Sequence, residues 1–169
     1  MELKDHIRSI PDFPKPGILF YDISTLLSNA DAWQVALTRL TRCVSKHHPD
    51  FLLGIESRGF LLAAPLAARL GVGFAMVRKK GKLPGEVASH EYKLEYGSDV
   101  IEIQADAIKN EQRIVILDDL LATGGTAECV SNMLLSLDKI VLGLSVVIEL
   151  SDLNGKGKFN FPVVSQICY

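Results

Sequence analysis

Apolar positions along the chain fall into short blocks that alternate between a helical and a strand-like spacing. Residues 32–48 place Val35, Leu37, Leu40 and Val44 near helical spacing, which predicts an amphipathic helix with Asp31 as its N-cap and Pro49-Asp50 as its end. Phe51-Leu-Leu-Gly-Ile55 then reads as a short buried strand, residues 59–70 as a second helix stopped by Gly71, and Gly73-Phe-Ala-Met-Val77 as the next strand. Arg113-Ile-Val-Ile-Leu117 is the clearest strand, because its apolar residues run without alternation, the pattern of a strand covered on both faces. Residues 126–137 predict a third helix and residues 140–150 a long strand. Repeated strand–helix–strand units of this size predict an α/β fold: a three-layer, mostly parallel, twisted sheet flanked by helices. In such a sheet, ligands sit at the carboxyl ends of the strands.

One stretch breaks the alternation. Arg78-Lys-Lys-Gly-Lys-Leu-Pro-Gly85 is basic and turn-rich, and residues 89–94 and 100–103 could pair as a hairpin through Gly97. A segment of this length without a helix, inside a compact domain, is a lid or a loop without fixed structure. The expectation is therefore a single domain spanning 1–169, with a flexible lid hairpin at about 78–99. No internal repeat, low-complexity segment or interdomain linker interrupts it.

Composition narrows the function classes. At 169 residues the chain has the size of one domain, and 18 Lys plus Arg against 20 Asp plus Glu leave a net charge of −2. That balance gives no general attraction to nucleic acid or anionic membrane, so any polyanion site must be local. The longest apolar run, Phe60 to Ala68, is far short of the roughly 20 residues that span a bilayer. The first residues lack the apolar core of a signal peptide, and the expected location is cytoplasmic. Cys43, Cys129 and Cys168 are widely spaced and form no CxxC pair, arguing against a disulfide framework and a zinc cage. Cys43 and Cys129 read as helix-packing thiols and Cys168 as a terminal strand residue. His6, His47, His48 and His90 show no metal-ligand spacing, and His47-His48 reads as a favourable helix end.

The sharpest chemistry lies in Ile114-Val-Ile-Leu-Asp118-Asp119-Leu-Leu-Ala122-Thr123-Gly124-Gly125-Thr126, running from strand into helix. Glycines admit positive φ, so successive N–H groups can curl around an anion, and the following helix adds its positive dipole end. Thr123 and Thr126 can donate hydroxyl hydrogen bonds to the same phosphate. Asp118 and Asp119, acceptor-only carboxylates where the strand emerges, suit vicinal sugar hydroxyls or a magnesium-bound diol. The plainer alternative is a turn with ordinary Asp and Thr caps. Other phosphate motifs fail: Gly54-Ile-Glu-Ser-Arg-Gly59 has Phe60 where a Walker loop needs lysine, and Gly71-Val-Gly73 meets Met76 where a dinucleotide fingerprint needs glycine.

This segment resembles the phosphoribosyl-pyrophosphate signature of type I phosphoribosyltransferases. Pro11-Asp-Phe-Pro-Lys-Pro-Gly-Ile-Leu-Phe-Tyr-Asp22, Gly54-Ile-Glu-Ser-Arg-Gly-Phe60, residues 78–85 and Tyr92-Lys-Leu-Glu-Tyr-Gly97 extend the resemblance to the adenine phosphoribosyltransferase family, in the same order. The resemblance implies transfer of phosphoribosyl from phosphoribosyl pyrophosphate to adenine, giving AMP and diphosphate with Mg2+, by a dimeric enzyme. It implies that Ala122, Thr123, Gly124, Gly125 and Thr126 hold the 5′-phosphate, and that Asp118 and Asp119 hold the ribose hydroxyls directly or through Mg2+. Glu56, Ser57 and Arg58 match the family's pyrophosphate loop, which carries a non-proline cis peptide. Arg78, Lys79 and Lys82 match its pyrophosphate-binding basic cluster.

The same resemblance places Glu95, with Tyr96, in the lid, where the glutamate handles the purine N7 proton. It places adenine in an N-terminal hood of about residues 1–30, held by Leu19, Phe20 and Tyr21, with Leu153 covering the other face. Some family members have arginine where this chain has Tyr21, and the chain beyond Asn154 matches poorly. Two other readings stay open: a phosphoribosyltransferase for 6-oxopurines, and a non-catalytic regulator that senses phosphoribosyl pyrophosphate.

Overall fold

The computed structural model describes residues 1–93, 98–109 and 112–169. Strands β1 (Arg8–Ile10) and β2 (Phe20–Asp22) pair antiparallel as a small separate sheet. Then follow α1 (Ser24–Ser28), α2 (Ala30–Ser45), β3 (Phe51–Ile55), α3 (Gly59–Leu70) and β4 (Gly73–Lys79). The chain continues through β5 (Val87–Lys93), β6 (Ser98–Gln104), β7 (Arg113–Leu121), α4 (Gly125–Ser136), β8 (Ile140–Glu149) and β9 (Val163–Cys168). The main sheet has the order β5-β6-β4-β3-β7-β8-β9. Strands β4, β3, β7, β8 and β9 run parallel, whereas β6 and β5 fold back antiparallel beyond β4.

Both faces of the sheet are covered, so the fold is the three-layer α/β arrangement that the apolar blocks predict. Leu52 and Val115 point to the layer of α2 and α3, against Leu37, Leu40, Leu62 and Leu66. Their neighbours Leu53, Ile114 and Ile116 point to the opposite layer, against Val130, Met133 and Leu134 of α4. The period of two is therefore present in space although hydropathy hides it, since both directions lead into core. Each fully buried Leu or Ile contributes roughly 1.5–3 kcal/mol.

Several boundaries differ from those the sequence predicts. Asn29, not Asp31, caps α2: its Oδ1 accepts from the Ala32 N–H at 3.0 Å. Asp31 lies in the first turn, where its charge suits the helix dipole. The helix ends at Ser45, before His47-His48, and His48 takes a left-handed φ of 48°. Strand β7 continues through Asp118 and Asp119 because its pairing with β8 extends to Leu121 opposite Glu149. Arg78 and Lys79 belong to β4, not to a loop. The predicted hairpin exists, with Lys93 opposite Ser98, but its Gly97 turn lies outside the described residues.

The chain after Asn154 supplies β9, parallel to β8. Tyr169, which follows it, stacks on Tyr21 of β2 with ring centroids 4.0 Å apart, and Lys4 lies 4.2 Å above the Tyr169 ring. All three cysteines are free. No helix among the described residues is long and apolar enough to cross a membrane.

Asp22 ties the small sheet together. The Ser24 N–H donates to it at 2.9 Å, and the Arg8 guanidinium pairs with it from the opposite strand. Hydrogen bonds from Ser24 and Arg8 hold its carboxyl down at about 2. A carboxyl that ionises more readily when folded stabilises the fold above its unfolded value and loses that effect as the pH falls through its folded value. Asp22→Asn is expected to cost about 1–2 kcal/mol near neutral pH, by chemical denaturation. The gap to the parent protein should persist above 3.8 and close as the pH approaches about 2.

Candidate active site

Strands β3 and β7 are parallel neighbours with Gly54 opposite Leu117, so their carboxyl ends open side by side. Glu56, Ser57 and Arg58 follow β3, while Asp118 through Thr126 run from the end of β7 into α4. These two segments line one cleft of about 1060 Å³, closed on further sides by His90, Glu91 and Tyr92 of β5 and by Lys158. The Glu56–Ser57 peptide is cis, the feature that the resemblance implies for this loop.

The anion-binding half of the cleft is built by backbone. Gly124 is the N-cap of α4 and has φ 83°, a left-handed conformation that a side chain resists. That turn aims the first N–H groups of α4, which lack carbonyl partners within the helix, into the cleft beside Thr123 and Thr126. The arrangement suits a phosphate without any protein cation in the nest itself.

Carboxylates dominate the other half. Asp119 is buried at 5% exposure, and the Arg58 guanidinium pairs with its Oδ2. Asp118 Oδ1 accepts from the Asp119 N–H at 2.8 Å. Burial, followed by the neighbouring Asp119 charge, pushes the Asp118 carboxyl well above the usual carboxylate range. Glu56 behaves oppositely: burial pushes it up, but Lys82, the Lys79 N–H and Arg78 together hold it below its ordinary value. The Lys82 ammonium pairs with Glu56 Oε1, the Lys79 N–H donates to Oε2 at 2.7 Å, and the Arg78 guanidinium lies at 3.5 Å.

Of the residues that sequence singles out, Glu56, Ser57, Arg58, Asp118, Asp119, Ala122, Thr123, Gly124, Gly125 and Thr126 thus come together in the cleft. Arg78 and Lys82 do not line the cleft themselves; both pair with Glu56, which does. The Lys79 side chain turns instead to Asp99, 2.8 Å away. Phe20 packs edge-on against Phe13 and 5.2 Å from the Arg58 guanidinium, at the cleft's margin. The Tyr21 ring packs on Tyr169. Leu19 and Leu153 are each about half exposed. Glu95 and Tyr96 lie outside the described residues.

The structure adds residues that sequence reasoning passed over. Gly155 lies against the phosphate turn, where an added Cβ would stand 2.3 Å from the Ala122 carbonyl oxygen. Lys158 lines the cleft itself. The signal for both is the run Gly155-Lys-Gly-Lys158 a few residues after a long buried strand, in a stretch that the resemblance matches poorly.

Comparison with known proteins agrees with this geometry. The family model described as phosphoribosyl transferase domain matches residues 27–154. An adenine phosphoribosyltransferase of Rhodospirillum rubrum is 59% identical over 169 residues, covering 100% of this chain and 99% of that relative. The crystal structure of the Thermoanaerobacter pseudethanolicus adenine phosphoribosyltransferase superposes with a TM-score of 0.95 at 47% identity, covering 99% of this chain and 98% of that one. The Saccharomyces cerevisiae enzyme, solved with adenine and an imino-altritol bisphosphate, gives 0.92 at 40% identity, covering 98% of this chain and 96% of that one. The chain belongs to the phosphoribosyl transferase family and, within it, to the adenine phosphoribosyltransferases.

Proposed function

We propose that this protein transfers the phosphoribosyl group of 5-phospho-α-D-ribose 1-diphosphate to adenine, releasing AMP and diphosphate in purine salvage. The observation that carries this reading is the single cleft in which the Gly124 phosphate nest, the Asp118–Asp119 pair and the Glu56–Ser57–Arg58 loop converge. In the yeast relative, adenine and a sugar-phosphate analogue are bound together. This supports placing base and phosphoribosyl donor in one site here.

The reaction breaks the bond between ribose C1′ and a diphosphate oxygen and forms one between C1′ and a purine nitrogen, while adenine loses one proton. As the bond to diphosphate stretches, positive charge grows on the sugar and negative charge on the leaving group. Catalysis then consists of holding these groups in line and stabilising both charges. Ala122 through Thr126 hold the 5′-phosphate, which fixes the sugar. Asp118 and Asp119 accept from the ribose hydroxyls, and their negative charge favours the developing cation. Arg58, Arg78 and Lys82 receive the diphosphate, with Lys79 at the margin of the set. Leu19, Phe20, Tyr21 and Leu153 enclose the base, with Phe20 as the stacking ring, and Glu95 takes the purine proton as the lid segment, with Tyr96, closes.

Phosphoribosyl transfer generally proceeds with Mg2+, and the donor set fits an ion brought in by the substrate. Among the described residues no three His, Cys, Asp or Glu side chains converge into a cage. The adjacent carboxylates Asp118 and Asp119 offer hard oxygens of the kind that suit Mg2+. Such an ion would neutralise charge on the leaving diphosphate. Asp118 and Asp119 would hold it either directly or through the sugar hydroxyls.

A side-by-side assay with adenine, hypoxanthine and guanine should show turnover with adenine alone. Comparable rates with a 6-oxopurine would move the protein to another purine specificity, and binding of phosphoribosyl pyrophosphate without any turnover would favour the regulator. The double variant Asp118→Asn, Asp119→Asn should unfold cooperatively yet lose roughly 10²–10³-fold in kcat/KM, because neutral amides stabilise the sugar cation poorly. Near-normal turnover in that variant would remove the carboxylates from the ribose site. Glu95→Gln should lower kcat by about 10²–10⁴-fold while leaving the affinity for phosphoribosyl pyrophosphate almost unchanged. A loss of that affinity with kcat spared would instead make Glu95 a structural lid residue.

A further inference from the structure

Beyond β8 the chain folds into two 3-10 turns, Ser151–Leu153 and Gly155–Lys158. The second turn is pinned against the phosphate loop from several sides. A Cβ on Gly155 would stand 2.3 Å from the Ala122 oxygen and 3.2 Å from the Gly124 nitrogen, so the two backbones are in direct contact. The Leu150 N–H donates to the Leu121 carbonyl at 2.9 Å. At the end of β8 the buried Glu149 carboxylate receives the Lys156 ammonium and, at 2.6 Å, the Ser165 hydroxyl. The turn is thus fixed to the sheet at one end and to the phosphate loop at the other.

Lys158 is delivered by this turn. Its stem lies over Gly124, with Cδ 3.4 Å from where a Cβ on that glycine would stand, and it lines the cleft. Its ammonium pairs with Glu128, 2.9 Å away on the first turn of α4. The two side chains are 39% and 42% exposed, so water competes for both charges and the pair holds weakly. A phosphate entering the nest brings nearly two negative charges to the N-terminus of the same helix. The Glu128 carboxylate then repels it from close by unless a cation stands between them. The flexible lysine stem sits where it can turn from Glu128 to the phosphate, and the bond it makes there is the stronger of the two.

We propose that Lys158 is a 5′-phosphate-binding residue that exchanges Glu128 for the substrate phosphate on binding. This rests on the phosphoribosyltransferase reading and adds to it a cation contributed from outside the phosphate loop. It acts on the 5′-phosphate alone, so it should distinguish nucleotide from nucleoside.

Calorimetric titration of the intact protein with AMP and with adenosine tests it. Lys158→Met, which keeps the stem and removes the charge, should weaken AMP about ten- to hundredfold, the range for one hydrogen bond to a charged group, with adenosine unchanged. Lys158→Arg should restore most of the AMP affinity. Glu128→Gln removes the competing carboxylate and should leave AMP affinity equal or tighter. The KM for phosphoribosyl pyrophosphate should follow AMP, while the KM for adenine stays constant. If Lys158→Met binds AMP as the parent does, or if AMP and adenosine weaken equally, the lysine does not contact the phosphate. Weakening in Glu128→Gln equal to that in Lys158→Met would make the pair structural and overturn the proposal. A parent protein that neither binds AMP nor turns over adenine would overturn the functional reading itself. Normal parent binding with an unaffected Lys158→Met overturns only the lysine assignment.

Discussion

Everything at the cleft depends on the register between β3 and β7. The two strands are buried on both faces and run parallel, with Phe51 opposite Ile114 and Gly54 opposite Leu117. A slip of one residue would turn Leu52 and Val115 from one helical layer to the other, so the core on both sides enforces the alignment. The same alignment brings the residues that leave each strand to one edge at one height. Arg58 can therefore reach Asp119, although the two are far apart in sequence. The chemistry sits on the ends of two strands that the core holds on both faces.

A second constraint is electrostatic. The chain is slightly acidic overall, yet its cleft is meant for anions. Arg58 is paired with Asp119, Lys82 with Glu56, Lys79 with Asp99 and Lys158 with Glu128. In the nest itself the positive potential comes from backbone N–H groups at the start of α4, which no carboxylate can neutralise by proton transfer. Paired cations stay in place without repelling one another across a small volume, and each pairing is a contact that an entering phosphate can replace. The strongly raised Asp118 shows the limit of this pairing, since its close charged neighbour is another carboxylate.

Much of this was legible in the sequence, and the exceptions have physical causes. The β7–α4 segment could be read because glycine, threonine and paired acids in a row have few structural uses in common. Strand β3 and helix α3 are legible because buried segments are apolar throughout, Pro49 stands just before β3 and Gly71 ends α3. The cap of α2 is not legible because Asn29 and Asp31 both suit a helix start, and only the bond to the Ala32 N–H separates them. The strand reads as ending before Asp118 and Asp119 because the apolar run ends at Leu117, while the pairing with β8 does not. Lys158 is not legible because its partners Gly124 and Glu128 are distant in sequence, and a lysine after a glycine resembles any surface turn.

The stacking of Tyr21 on Tyr169 has a consequence for how the protein is made. Strand β2 holds the segment proposed to receive the base, but one side of it packs on a ring that follows β9. During synthesis the early strand emerges from the ribosome long before that ring exists. The backbone nest at the start of α4 can form once β7, α4 and β8 are out, whereas the turn that carries Lys158, tied to Ser165 of β9 through Glu149, and the base-binding strand both wait for the end of the sheet. Nascent chains would thus acquire a backbone nest for the sugar phosphate before they acquire its lysine or a place for the purine.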